Sequence, residues 1–387
     1  MKKKIAILGS TGSIGKNLIN ILKNDKKNFE VVLLSANKNY KELLNQAKIF
    51  NVKNLIINNK NVFNKVKLKT NLQKINIFNN FSKIDNIFDK KIDYVMSAIT
   101  GIDGLVPTLK IIQHTKNIAI ANKEAIICGW PLIKKKLDYF STNFYPVDSE
   151  HFSIWYALNN NSSQKIEKLF ITASGGSLLN VPQKKLKYLK LKDVLKHPNW
   201  KMGKKITIDS STMMNKVFEV IEAKNIFSML YKDISILIHP SSYVHAIVKF
   251  NNGMTKIIVH DTTMKVPIFN TIYSKSEKKL KSKELNLDKL NNLNFTKVDL
   301  KKFPLVKILK ILPKKCSLFE TVLVATNDEL VNLYLKNKIK YTDISQNFFK
   351  IINLNEFKKY KKIKIKKVES VLELNEYVRF KINSISI

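Results

Sequence analysis

The sequence predicts an α/β protein whose N-terminal part is a doubly wound parallel sheet, and three observations carry that reading. Short apolar runs recur through the first 150 residues (KIAILG, EVVLLSAN, NLIINN, YVMSAIT, IAIANK), each ending in small or polar residues, with helix-compatible stretches between them. Strands and helices alternating at that rhythm read as βαβ units. The first run passes directly into GSTGSIG (9–15) and then KNLINILKN, a strand, glycine loop and helix in that order. From about 150 the rhythm changes. LFITASGG, KITIDSST, ILIHPSSYVHAIVKF and MTKIIVHDTT read as strands, and STMMNKVFEVIEAKNIF as a helix between them. The expected layout is a Rossmann-like domain over 1–147 and an α+β domain over 148–273. A polar, lysine-rich linker at 274–299 and a helical C-terminal domain over 300–387 follow, where LFETVLVATNDELVNLYLKN has helical periodicity.

Composition narrows the class. At 387 residues the chain is too long for one ordinary core. No apolar run approaches the roughly 18 residues that a membrane span needs. The start, MKKKIAILG, has the basic opening of a signal peptide, but its apolar run stops after IAIL. Cys128 and Cys316 have no metal-like spacing and offer no disulfide framework. A cytoplasmic protein is expected. The formal charge of +38 would ordinarily suggest a nucleic-acid or anionic membrane partner. Yet the lysines are spread along the whole chain among asparagines and isoleucines, and Arg379 is the only arginine. Arginine is the preferred residue for nucleic-acid contacts, so no specific nucleic-acid surface is expected, only non-specific attraction to polyanions.

The glycine loop suits a dinucleotide. Glycines let the backbone turn tightly and approach a pyrophosphate, whose charge meets the amides of a helix N-terminus. The spacing is GxxGxxG, and a purely structural turn is the competing reading. An NAD site wants an acid about 20 residues on, at the end of the second strand. Here that strand ends in Ser35-Ala36-Asn37-Lys38-Asn39 with no carboxylate, and Lys38 can meet a 2′-phosphate. NADP(H) is the expected cofactor.

Two carboxylates in PVDSEH (146–151) point to a metal. In an extended strand Asp148 and Glu150 would share one face, and oxygen ligands suit Mg²⁺ or Mn²⁺ better than zinc. A third ligand is expected from KITIDSSTMMNKVFEVIEA, read as a strand ending at Asp209 followed by a helix. On that helix Asn215, Glu219 and Glu222 fall on one face, with Met213, Val217, Val220 and Ile221 on the core side. Ser210, Ser211, Asn215 and Lys216 combine hydroxyl, amide and ammonium donors with a helix N-terminus, which suits a phosphate. Thr172-Ala-Ser174-Gly-Gly is a second cradle. HPNWKMGKK (197–205) reads as a loop whose tryptophan either closes over a substrate or pins the loop itself. His239 and His245 read as core or supporting residues.

GSTGSIG, ANKE, PVDSEH, TASGG, HPNWKMGKKITIDSSTMMNK and EVIEA, in this order and spacing, resemble the 1-deoxy-D-xylulose 5-phosphate reductoisomerase family. The resemblance is strongest from 92 to 270. It weakens toward the C-terminus, where the family's asparagine-alanine-alanine-asparagine-glutamate stretch appears as ATNDE (325–329). It implies an NADPH-dependent, divalent-metal-assisted rearrangement and reduction of 1-deoxy-D-xylulose 5-phosphate to 2-C-methyl-D-erythritol 4-phosphate, in non-mevalonate isoprenoid synthesis. It makes 148–273 the catalytic domain, with a flap near 197–205, and implies a homodimer. Asp148, Glu150 and Glu219 would be metal ligands, and these with Lys123 the catalytic residues. Ser174, Ser210, Asn215 and Lys216 would hold the phosphate. Lys123, Ser149, Glu150 and Glu219 would face the substrate near the metal, under a flap carrying His197, Trp200 and Met202. Thr11, Gly12, Ser13, Ile14, Ala36, Asn37, Lys38, Asn39, Asn122, Glu124 and Gly203 would line the NADPH site. Two departures stand out: Val217 replaces a usual glycine, and HDTTMKVPI (260–268) replaces a more acidic version. Two rival readings are a phosphosugar reductase that performs no rearrangement and a basic nucleic-acid-binding protein on an inherited cofactor fold.

Overall fold

A computed structural model describes residues 1–69, 75–158, 165–200, 202–274 and 276–385. The chain divides into two compact units. The first comprises Met1–Ala125, Leu132–Phe152 and Met264–Lys281, the second Ile126–Pro131, Ser153–Thr263 and Ser282–Ile387.

The first unit is built on a seven-stranded sheet: β1 (Lys3–Leu8), β2 (Phe29–Ala36), β3 (Asn54–Ile57), β4 (Asn76–Phe78), β5 (Tyr94–Ser97), β6 (Asn117–Ile120) and β7 (Asn143–Pro146). Every pairing is parallel, in the order β4-β3-β2-β1-β5-β6-β7. Parallel strands are covered on both faces and so read as unbroken apolar runs; Ile5, Ala6, Ile7 and Leu8 are all fully buried. The chain winds one way from β1 through β2 and the other way from β5, so the strand order reverses beside β1. That crevice is where doubly wound sheets bind ligands, and GSTGSIG emerges there. The core joins Ile5, Ile7, Leu18, Leu22, Leu34 and Met96 with Ile268 and Ile272 from the helix Lys265–Ile272. That helix is fastened by its own polar contacts, Thr271 with Tyr94 at 2.8 Å and the Tyr273 hydroxyl donating to buried Asp25 at 2.7 Å.

The second unit carries a mixed sheet of β8 (Ile166–Ala173), β9 (Ile234–Ile238), β10 (Val244–Phe250), β11 (Thr255–Val259) and β12 (Thr296–Lys297), ordered β11-β10-β8-β9-β12. Only β8 and β9 run parallel. The short β12 lies within 274–299, the stretch read as a linker. The helix Met214–Ile226 contributes Val220 and Ala223 to a core shared with Leu169, Ile171, Ala246 and Phe250. Helices Phe319–Leu335, Tyr341–Ile352 and Val368–Ser384 form the helical C-terminal region. Among the described residues, no helix is long and apolar enough to cross a membrane.

Two local expectations change. KITIDSS is the helix Lys204–Ser211, not a strand. The strand-like alternation of Ile206, Thr207 and Ile208 is overridden by pairing along the helix, Lys205 with Asp209 one turn on at 2.9 Å, while the Thr207 and Ser211 hydroxyls donate back to the carbonyls of Gly203 and Ile208. PVDSEH is not extended either. Strand β7 stops at Pro146, and the helix Ser149–Leu158 begins with the Asp148 carbonyl accepting from the Phe152 amide. On the helix Met214–Ile226 the face carrying Glu219 and Glu222 is buried like the core side, each of the two acids being 1% exposed.

Candidate active site

The glycine loop leaves β1 at Gly9, whose φ of +81° is a conformation that side chains disfavour. The helix Ser13–Lys23 follows, N-capped by Gly12 with no side-chain cap and no acid in its first turn. Its first amides therefore face outward with no side chain competing for them, a ready anion site. Thr11, Gly12, Ser13 and Ile14 lie on this turn, at least partly exposed. At the end of β2, Ala36 is buried while Asn37, Lys38 and Asn39 are exposed, and Asn39 caps the helix Tyr40–Phe50.

Lys123 begins the helix Lys123–Tyr139, whose N-cap is Asn122. The Asn122 side chain is 2% exposed, donates to the Ile99 and Gly101 carbonyls and accepts from the Ala125 amide. It thereby fixes the turn that presents Lys123 and Glu124. The Lys123 ammonium lies 2.7 Å from Asp148 Oδ2, and the Ser149 hydroxyl donates to Glu150 at 2.6 Å. Asp148, Ser149 and Glu150 thus sit at a strand-to-helix corner and not along a strand face.

In the second unit, Gly176 (φ +68°) lies so close to the end of the helix Lys204–Ser211 that a Cβ there would meet the Ser210 carbonyl at 2.8 Å. This brings the TASGG turn beside Ser210. Ser174 Oγ accepts from the Gly176 amide at 3.1 Å and lies 3.1 Å from His197 Nε2. His197 Nδ1 accepts from the amides of Asn199 and Trp200, so it carries no proton, and Nε2–H donates to Ser174. Burial, followed by the positive charge of Lys216, pushes the His197 pKa down to about 4, which keeps this ring neutral. With both lone pairs of Ser174 Oγ engaged, its own hydrogen is left to point at an incoming acceptor.

Met213, held at φ +63°, turns the chain from the helix ending at Ser211 into the helix Met214–Ile226. The next helical turn presents Asn215 and buried Lys216. Both reach Glu219: the Asn215 amide donates to it, and the Lys216 ammonium lies 2.6 Å away. The flap loop carries Trp200 and Met202, each partly exposed, and exposed Gly203, which caps the helix Lys204–Ser211. Lys201 lies outside the described residues.

Comparison with known proteins identifies the family. Family models described as 1-deoxy-D-xylulose 5-phosphate reductoisomerase match residues 5–129, and models of its C-terminal domains match 144–227 and 260–381. The chain is 57% identical over 387 residues to the 1-deoxy-D-xylulose 5-phosphate reductoisomerase of Pelagibacter ubique, covering 100% of both chains. The chain belongs to the 1-deoxy-D-xylulose 5-phosphate reductoisomerase family. The Sulfurihydrogenibium reductoisomerase is 37% identical over 341 residues, 88% of each chain. A solved DOX-P reductoisomerase in complex with NADPH, fosmidomycin and magnesium superposes with a TM-score of 0.89 at 29% identity, over 99% of this chain and 98% of that one. The Zymomonas mobilis enzyme in complex with NADPH gives 0.86 at 27% identity, over 98% of both chains.

Several residues of this reductoisomerase fold escaped sequence reasoning. Ser35 secures the glycine loop through its carbonyl and hydroxyl, which accept from the Ser10 and Gly9 amides at 2.9 Å, and Gln46 donates to the Ser10 carbonyl at 3.2 Å. Neither belongs to a recognisable motif. The departing ATNDE stretch anchors the helix Lys204–Ser211. Asn327 donates to buried Asp209 at 2.8 Å, and Asp328 pairs with Lys205 at 2.9 Å. Arg379 binds Asp328 and Glu329 at 3.0 and 3.2 Å, so the sole arginine serves the fold. Its solitude in a lysine-rich chain was the signal available. Val217 is fully buried within its helix, so the family's usual glycine is replaced at a packed position.

Proposed function

We propose that this chain converts 1-deoxy-D-xylulose 5-phosphate to 2-C-methyl-D-erythritol 4-phosphate with NADPH and a divalent cation, Mg²⁺ or Mn²⁺, acting in the cytoplasm as a homodimer. The observation that carries the reading is a pair of lysine–carboxylate contacts. Asp148 is held by Lys123 at 2.7 Å and Glu219 by Lys216 at 2.6 Å. Carboxylates that already hold cations suit an oxygen-ligated divalent ion, and Asp148, Glu150 and Glu219 would supply its ligands. The glycine turn, with its outward amides and the carboxylate-free end of β2, suits NADPH through Thr11, Gly12, Ser13, Ile14 and the stretch Ala36–Asn39.

When bound, the cation supplies Lewis-acid stabilisation of developing negative charge, and NADPH supplies the hydride. The protein's own contribution is placement. Lys216, Asn215, Ser210 and the directed hydroxyl of Ser174 grip the phosphate, which anchors the substrate away from the reacting carbons. Lys123 and Ser149 face the substrate beside the carboxylates and orient its oxygens. Asn122 and Glu124, at the start of the same helix, belong with Gly203 to the NADPH contacts. His197, Trp200 and Met202 close over the substrate and keep water from the intermediate. Two cysteines outside any disulfide, Cys128 and Cys316, fit a reducing compartment.

The test follows NADPH consumption with 1-deoxy-D-xylulose 5-phosphate after chelation, with and without added Mn²⁺, and identifies the product. Turnover restored by Mn²⁺, with the rearranged carbon skeleton in the product, is expected. Silence under both conditions, or reduction without rearrangement that ignores the chelator, overturns the reading.

A further inference from the structure

We propose that His260 is a positioning residue for the flap, acting through His245 on Trp200. The proposal rests on the assignment of Trp200 to substrate closure made above. It starts from the β10–β11 ladder, where Val244 lies opposite Val259 and Ala246 opposite Ile258. His245 is therefore the extra residue of a β-bulge, a device that re-aims a side chain. The re-aimed imidazole is 2% exposed and meets two rings. It stacks on His260 with centroids 3.6 Å apart and planes 10° from parallel, and it meets Trp200 edge to face at 6.2 Å and 77°.

Hydrogen bonds fix both imidazoles. His245 Nε2 lies 3.2 Å from the His260 carbonyl, and His260 Nδ1 lies 2.8 Å from the Asp261 carbonyl. Carbonyls only accept, so each of these nitrogens carries a hydrogen and neither ring is free to flip. The Asp261 carbonyl also accepts from the Thr263 amide, and its carboxylate accepts from the Lys283 amide at 3.2 Å. His260 is thus set in a braced turn. On the flap side, Asn199 donates to the Pro240 carbonyl at 2.6 Å and the Ser242 hydroxyl at 2.9 Å. The flap is seated on the β9–β10 turn by polar contacts at Asn199 and on strand β10 by an aromatic contact of Trp200 with His245. The latter has a definite geometry because the His260 ring fixes the plane of His245.

Four enzymes test this: His260→Leu, which removes the ring at similar bulk; His260→Phe, which keeps a flat ring; Trp200→Ala; and the Trp200→Ala/His260→Leu double variant. Stability is checked first by thermal melting, then KM for 1-deoxy-D-xylulose 5-phosphate and kcat are measured separately. His260→Leu is expected to raise KM roughly three- to tenfold, the worth of one aromatic contact, with kcat changed less than about twofold. His260→Phe should stay near the wild-type KM, and His260→Leu should add nothing on the Trp200→Ala background. An unchanged KM in His260→Leu, equal impairment in His260→Phe, or additive effects in the double variant overturn the proposal. If Trp200→Ala itself leaves KM unchanged, the closure reading is what fails. Should His260→Leu not fold, His260→Gln against His260→Phe makes the same comparison of ring against no ring.

Discussion

Gly15→Ala offers a test of the cofactor loop whose size can be worked out from distances. Two effects compete. Alanine in a helix interior gains about 1 kcal/mol over glycine. Against this, a Cβ on Gly15 would lie 2.5 Å from the Gly9 carbonyl oxygen, 2.5 Å from Ser10 Cα and 2.6 Å from the Ser10 carbonyl oxygen. Ordinary contacts are about 3.5 Å or longer, so the methyl overlaps backbone by roughly 1 Å. The loop cannot yield freely, because Ser35 and Gln46 hold Gly9 and Ser10 at 2.9 to 3.2 Å. Overpacking of this kind costs about 1–3 kcal/mol and outweighs the propensity gain. The larger consequence is displacement: a shift of about 1 Å in a positioning element costs on the order of 10²-fold. Steady-state kinetics with NADPH as the varied substrate should show kcat/KM reduced about 10- to 100-fold. KM for the sugar phosphate at saturating NADPH should move less than about threefold. A Gly15→Ala enzyme with kcat/KM for NADPH within twofold of wild type would refute the close-approach argument.

Three further outcomes follow from the same geometry. Lys38→Ala should raise KM for NADPH roughly fivefold, the scale of an exposed ion pair, while leaving KM for NADH nearly unchanged; equal effects on both cofactors would remove the 2′-phosphate contact. Asp209→Ala leaves the buried Asn327 amide without its acceptor, whereas Lys205 keeps Asp328. Chemical denaturation should therefore register a loss of about 1–3 kcal/mol, and an unchanged midpoint would contradict the anchoring role. The depressed pKa of His197, about 4 against 6.5 in the unfolded chain, fixes a sign. Between these values the unfolded chain binds the extra proton, so His197's contribution to stability is fully present above pH 6.5. It is lost as the pH falls toward 4. Melting temperatures of wild type and His197→Gln, compared across that window, should converge at the acid end; parallel curves would refute the neutral ring.

How much was legible depended on whether local and tertiary preferences agreed. The stretches ending in Leu8, Ala36, Ile57, Ser97 and Ile120 were readable because strands buried on both faces have to be apolar throughout. Strands β4 and β7 were not: they are the two edge strands of the sheet, only partly buried, so NIF and NFYP carry no unbroken apolar run flanked by polar residues. The glycine spacing carried its own geometry, since Gly9 and Gly15 sit where no side chain fits. Ile206-Thr207-Ile208 misled because β-branched alternation looks like a strand, whereas the Lys205–Asp209 pair and the contacts from Asn327 and Asp328 make it a helix. The acids of PVDSEH read as extended for want of a strand long enough to test: Asp148 followed by Ser149 and Glu150 is a helix-start pattern, and the helix Ser149–Leu158 follows. Glu219 and Glu222 would ordinarily mark a solvated face, and only tertiary burial reveals that they do not. Bonds such as Ser35 to Gly9 join residues 26 apart and leave no trace in spacing.

The most direct test of the central claim, that Asp148, Glu150 and Glu219 hold the divalent ion, is Glu219→Gln measured by Mn²⁺ binding titration together with NADPH turnover. The substitution keeps size and removes one charge. Mn²⁺ affinity is expected to fall by more than roughly 100-fold, beyond the loss seen when a ligand's supporting group is removed, and turnover should collapse with it. Wild-type Mn²⁺ affinity and wild-type turnover in the Glu219→Gln protein would contradict the claim.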